Sequence, residues 1–235
     1  GRAMKPLAEC RLYAFVDSAY LKGREPADLA RQLCDGGADL IQLRAKDWPT
    51  DRIRETAESL LSITQAANVG LVINDHWKIA GEIGADICHL GQEDFFEAGH
   101  TSIADLESTN QKLKLGLSTH MPEQAKCAMN ARADYLAFGP VYPTPTKPGR
   151  PAVTLDYLRW AAAHADRPWF AIGGITLENI EDVLEAGARR ICVVSEILNA
   201  PDVTRACQQF RERIASVPLD GNINHESACC RHHRP

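Results

Sequence analysis

The sequence has no stretch near the roughly 18 to 20 apolar residues needed to span a bilayer, and its N-terminus shows no charged-then-apolar leader. No membrane partner is expected. It also lacks a long basic run: 26 Lys and Arg stand against 31 Asp and Glu, a formal charge of −5, which argues against nucleic acid as a partner. Lys and Arg that stand out are therefore read as local anion ligands. No Cys-x-x-Cys pair occurs among the eight cysteines, so a structural zinc site is not supported. Cys34, Cys88, Cys127, Cys192 and Cys207 sit singly inside apolar patterns, the habit of reduced core thiols, and a cytoplasmic setting is expected. The stretch from His225 to His233, with Cys229 and Cys230, resembles a soft-metal cluster in composition alone, and residues 218–235 are expected to form a disordered tail. The chain starts at Gly1 rather than methionine, as a processed product or a piece of a longer protein would.

What is present is a rhythm. At 235 residues and 45% apolar content the chain can bury one large core. Eight strand-like runs alternate with helix-like stretches: Leu12 to Val16, Leu40 to Leu43, Leu71 to Ile73, Ile87 to Leu90, Leu113 to Leu117, Tyr135 to Phe138, Trp169 to Ile172, and Ile191 to Val194. A small-residue motif recurs before several of them, as Gly36-Gly37-Ala38-Asp39, Gly84-Ala85-Asp86, Ala131-Arg132-Ala133-Asp134 and Gly187-Ala188-Arg189. Each would end a helix and feed the next strand. Pro26, Pro122 and Pro201 stand near predicted helix starts, where a missing amide donor costs nothing. The expectation is an α/β fold, a (βα)8 TIM barrel over residues 11–217 behind an N-terminal extension of residues 1–10. A doubly wound open sheet is the competing architecture, weakened because no Gly-x-Gly-x-x-Gly turn follows the first strand.

In a barrel, polar residues at the C-terminal strand ends converge on one mouth. Asn74-Asp75 ends one apolar run and Gly91-Gln92-Glu93-Asp94 follows another, so two carboxylates could form a hard oxygen site for Mg²⁺ holding a phosphorylated substrate. The alternative is that Asn74 and Asp75 cap a helix starting at His76 and that Asp94 caps another. Period-2 alternation throws Gln42, Arg44 and Lys46 to one side, and two inward cations call for an anion such as pyrophosphate. A surface salt bridge to Asp47 or Asp51 is the plainer reading. Ser118-Thr119-His120 follows the fifth strand, and a long Pro-rich loop from Gly139 to Pro151, with Thr144, Thr146 and Lys147, follows the sixth. Gly173-Gly174 and Ser195 after the last two strands match the usual phosphate cradle of such barrels.

With these residues in view the chain resembles the thiamine phosphate synthase family from Arg11 to Ile214. The resemblance is carried by Gln42-x-Arg44-x-Lys46, Asn74-Asp75, His89-x-Gly91-Gln92-Glu93-Asp94, Gly116-x-Ser118, Gly139-Pro140-x-x-x-Thr144-x-Thr146-Lys147, Ile172-Gly173-Gly174-Ile175 and Val194-Ser195. It implies a transferase joining 4-amino-2-methyl-5-hydroxymethylpyrimidine diphosphate to 4-methyl-5-(2-phosphoethyl)thiazole, with pyrophosphate leaving first to give a pyrimidine carbocation. By the same resemblance Asp75 and Asp94 hold Mg²⁺, and Arg44, Lys46, Asn74, Ser118 and Lys147 bind pyrophosphate. Gln42 faces the pyrimidine, and Thr144, Thr146, Gly174, Ser195 and Ile197 hold the thiazole phosphate. Glu196 departs from the small residue common in the family, and is expected to be harmless if only backbone is used there. The partners implied are small molecules, and a homo-oligomer is left open. Two rivals remain: a thiazole tautomerase using His120 as its base, and a non-catalytic barrel that binds thiamine precursors.

Overall fold

The computed structural model describes residues 3–106, 112–144 and 152–219. Eight parallel strands close into a barrel in chain order: β1 (Leu12–Asp17), β2 (Leu40–Arg44), β3 (Gly70–Asn74), β4 (Ile87–Leu90), β5 (Lys114–Thr119), β6 (Tyr135–Phe138), β7 (Trp169–Ala171) and β8 (Ile191–Cys192). Closure is made by β1 and β8, where Leu12 stands opposite Ile191 and Tyr13 opposite Cys192, and this removes the open-sheet alternative. Helices α1 (Pro26–Asp35), α2 (Thr50–Ala66), α3 (Trp77–Ile83), α4 (Pro122–Asn130), α5 (Thr154–His164), α6 (Ile180–Glu185), α7 (Ser195–Leu198) and α8 (Val203–Ala215) follow their strands. After β4 the described residues hold only a single π turn, Glu93–Glu97, and a short 3-10 turn, Ile103–Asp105.

Strand alternation sorts the side chains into two cores. Outward residues such as Leu12, Ala14, Ile41, Leu71, Cys88, Leu117 and Leu136 join the helices in one cluster, while Tyr13, Phe15, Leu40, Val72, Ile87, Tyr135 and Phe170 fill the barrel. Leu7 and Cys10, from the segment before β1, pack into the interior cluster with Met4 against it, so that segment plugs the barrel floor. Burial pushes the Cys10 thiol up to about 12, and likewise Cys207, so neither is a reactive thiolate.

The recurring small-residue motif does more than punctuate. Asp39 accepts from the Arg11 and Leu12 amides at 2.7 and 3.1 Å, Asp86 from Leu71 at 2.9 Å, and Asp134 from Leu115 at 2.7 Å. Each carboxylate thus ties the start of its own strand to the start of the one before. Gly84, at φ +78°, ends α3 in the left-handed conformation that glycine adopts without cost.

The expected ranges of β4 and β6 are met, the other strand ends differ by one or two residues, and one difference matters. Ser118 and Thr119 were expected after the fifth strand, but they pair with Ala137 and Phe138 and so lie inside β5. Hydrogen bonding to β6 carries the strand past the end of its apolar run.

Candidate active site

Interior parity places Gln42, Arg44, Asn74, His89 and Ser118 on the same side of their strands as Leu40, Val72 and Ile87. Arg44 ends β2 opposite Asp17 at the end of β1 and donates to it at 3.1 Å. Asp17 is 1% exposed, so the guanidinium meets a buried carboxylate rather than the surface acids Asp47 or Asp51. Lys46, in the loop beyond, donates to Asp75 at 2.8 Å. Neither contact was foreseen, because both partners come from other strands.

Asp75 follows β3 with φ +66°, and its amide donates to the His89 carbonyl at 2.9 Å, locking the mouths of β3 and β4 together. Asp94 lies within the π turn after β4, with its carboxyl beside that of Asp75. Burial raises the Asp94 carboxyl above its ordinary value, the adjacent Asp75 charge raises it further, and Lys46 opposes both. Neither acid caps a helix: the N-cap of α3 is His76 and that of the π turn is Gln92, and no side-chain capping bond is formed at either. Two carboxylates in contact, with an ammonium already on one of them, form a hard donor set that favours a cation. Among the described residues no group of three or more His, Cys, Asp or Glu gathers, so any ion held there would complete its shell with other oxygens.

The other half of the mouth is a pocket open to solvent between the ends of β5, β6, β7 and β8, lined by Ser118, Thr144, Gly173, Gly174, Ser195 and Glu196 among others. Its wall forms where the loop after β6 rides on the residues just past β7: Val141 donates to the Ile172 carbonyl at 2.9 Å and Tyr142 to that of Gly173 at 3.0 Å. That approach requires glycine. A Cβ on Gly173 would lie 2.4 Å from the Pro140 Cα, and one on Gly174 would lie 2.7 Å from the Tyr142 Cβ. Ile197 is fully buried in α7 and does not line the pocket. Glu196 is exposed on its rim. His120, the rival base, lines the pocket too, with its Nδ1 held 2.6 Å from the Gly139 carbonyl.

Between the two halves sits a polar chain that sequence reading missed. Gln42 Nε2 is 2.7 Å from the Tyr13 hydroxyl, which is 2.8 Å from that of Tyr135. Tyr135 is 2.7 Å from His89 Nδ1, and His89 Nε2 is 2.7 Å from Ser118 Oγ. Gln92 Nε2 donates to the Ser118 carbonyl at 2.7 Å. The available signal was parity: Tyr13, Phe15 and Asp17 share one face of β1, and a tyrosine and an acid on an interior face need partners. Thr146, Lys147 and the Cys/His-rich tail lie outside the described residues.

Comparison with known proteins bears on this mouth. The sequence profile of the family described as thiamine monophosphate synthase matches residues 12–197. The chain is 45% identical over 192 residues to a thiamine-phosphate synthase of Thermus thermophilus, covering 81% of this chain and 89% of the relative. It is 43% identical over 213 residues to one from Acidothermus cellulolyticus, covering 90% and 98%. Among solved structures, thiamine phosphate pyrophosphorylase from Pyrococcus furiosus superposes with a TM-score of 0.76 at 28% identity, over 90% of this chain and 98% of that one.

Proposed function

The chain belongs to the thiamine monophosphate synthase family of transferases, and from that premise we propose which substrates its mouth joins and what each residue does. The substrates are 4-amino-2-methyl-5-hydroxymethylpyrimidine diphosphate and 4-methyl-5-(2-phosphoethyl)thiazole. The bond between the pyrimidine methylene carbon and the diphosphate oxygen breaks first, its electron pair leaving with pyrophosphate. The thiazole nitrogen then donates its lone pair to the pyrimidine cation, giving thiamine phosphate.

Such a reaction needs no protein nucleophile; it needs charge neutralised where it develops and two substrates held face to face. The observation that carries the reading is the Asp75–Asp94 pair with Lys46 upon it, beside Arg44 braced by Asp17. Asp75 and Asp94 would hold Mg²⁺, which supplies electrostatic stabilisation of the departing diphosphate when bound. Arg44 is pre-oriented by Asp17, and its remaining N–H donors suit phosphate oxygens. Lys46, freed from Asp75, becomes a point charge for the same group, and Asn74, Ser118 and Lys147 complete the diphosphate set. Gln42 faces the pyrimidine. Thr144, Thr146, the Gly173-Gly174 turn and Ser195, with Ile197 in support, hold the thiazole phosphate at the pocket between the ends of β5 to β8. Ser118 borders both halves.

The experiment is a coupled assay. The purified chain with both precursors and Mg²⁺ should release thiamine phosphate and pyrophosphate in equal amounts, and EDTA should stop it. Isomerisation of a thiazole carboxylate phosphate with no pyrimidine consumed would instead support the tautomerase, and binding without turnover the non-catalytic barrel.

A further inference from the structure

The chain Gln42–Tyr13–Tyr135–His89–Ser118 crosses the barrel interior on five strands, and every member is buried, from 0% exposure at Tyr135 to 9% at His89. Away from water, the hydroxyl hydrogens of Tyr13 and Tyr135 each need an acceptor. The order of protons can then be counted. An amide nitrogen only donates, so Gln42 Nε2 donates and the Tyr13 oxygen accepts. The Tyr13 proton goes on to the Tyr135 oxygen, and the Tyr135 proton to His89 Nδ1. A neutral imidazole that accepts at Nδ1 carries its hydrogen at Nε2, which donates to Ser118 Oγ. Ser118 accepts from the histidine and keeps its own proton for the cavity. Burial, first among the causes, holds both tyrosine hydroxyls well above their ordinary values, so no charged form disturbs this order.

We infer that Tyr13, Tyr135 and His89 are positioning residues: together they fix the histidine as its Nε2–H tautomer and turn the Ser118 hydroxyl outward as a donor to the leaving diphosphate. This use of the relay rests on the reading of Ser118 as a diphosphate ligand. The relay is built deliberately into the packing. Tyr135 occupies space that only Gly116 leaves open, since a Cβ there would fall 2.4 Å from the Tyr135 hydroxyl, and its ring stacks on His89 with centroids 5.6 Å apart. The order also joins the two substrates' surroundings, because the residue facing the pyrimidine is the first donor and the residue facing the diphosphate is the last. An amide turned the other way would put Oε1 on Tyr13 and reverse every bond, leaving Ser118 donating inward.

The test is long-range ¹H–¹⁵N spectroscopy of the full chain with ¹⁵N-histidine, the His89 signals being assigned by their loss in His89→Gln. The expected result is a hydrogen on Nε2 of His89. Tyr135→Phe keeps the ring and removes the hydroxyl; it should disturb that tautomer and lower kcat by about 10- to 100-fold while KM for the diphosphate moves less than about threefold. A hydrogen on Nδ1 in the unaltered chain, or an unchanged tautomer or kcat in Tyr135→Phe, would overturn the relay. Ser118→Ala with full turnover, alongside the expected tautomer, would overturn the role of Ser118 in the reaction while leaving the proton order intact, so the two failures are distinguishable.

Discussion

At the scale of single residues, the mouth is a set of charges that satisfy one another before any ligand arrives. Arg44 rests on Asp17 and Lys46 on Asp75, while Asp94 is left protonation-prone beside Asp75. The third acid has no cation of its own among these pairs, which is why Asp94→Ala is the informative change. It should lower the rate by about 10² or more if it removes a ligand of the ion that stabilises the leaving group; full activity would count against the ligand assignment. Glu196 is a second test. Its exposed carboxylate on the pocket rim should repel a dianionic phosphate weakly, so Glu196→Gln is expected to lower KM for the thiazole phosphate by roughly two- to fivefold at low salt, an effect that fades at high salt. The inward grouping of Gln42 and Arg44 was legible in the sequence because period-2 alternation is local. Their partners were not. Tyr13 and Tyr135 are 122 positions apart, and only closure of the barrel brings them together.

At the scale of elements, function depends on how strand ends are finished. β5 runs on through Ser118 and Thr119 because β6 supplies ladder partners, whereas its apolar run ends two residues earlier at Leu117. Strand ends set by pairing rather than by hydropathy are what sequence reading misplaces. The Gly173-Gly174 turn, by contrast, was visible as a pair of small residues after an apolar run, and the structure supplies the reason, since both hold positive φ under the Pro140–Tyr142 backbone. Gly173→Ala should push that segment outward, raising KM for the thiazole phosphate by about tenfold or more with a smaller change in KM for the diphosphate, as steady-state kinetics against each substrate would report.

At the scale of the whole molecule, the barrel floor and mouth divide stability from chemistry. The floor is tied by Asp39, which Lys5, two backbone amides and Arg211 hold below the usual carboxylate range in spite of the burial that works to raise it. Its contribution is therefore present above the ordinary value of about 3.9 and is lost as pH falls through the lowered one. Asp39→Asn should cost about 3 kcal/mol at neutral pH, and the gap to the unaltered chain should narrow in thermal melts below about pH 4. Asp86 and Asp134 behave oppositely: burial raises them, so their contribution is present below the ordinary value and is lost as pH rises through the raised one. Asp86→Asn and Asp134→Asn should then cost less than Asp39→Asn at neutral pH. The recurring motif was legible as a repeat; that its acids are shifted in opposite directions depends on distant Lys5 and Arg211 and was not.

The central claim is that one cation is shared by Asp75 and Asp94 in front of the Arg44 and Lys46 charges. Counting bound Mn²⁺, a paramagnetic stand-in for Mg²⁺, by electron paramagnetic resonance in the presence of pyrophosphate tests it most directly. One tight ion per chain is expected, lost or weakened at least about tenfold in Asp94→Ala. Equal stoichiometry and affinity in the two proteins would contradict it.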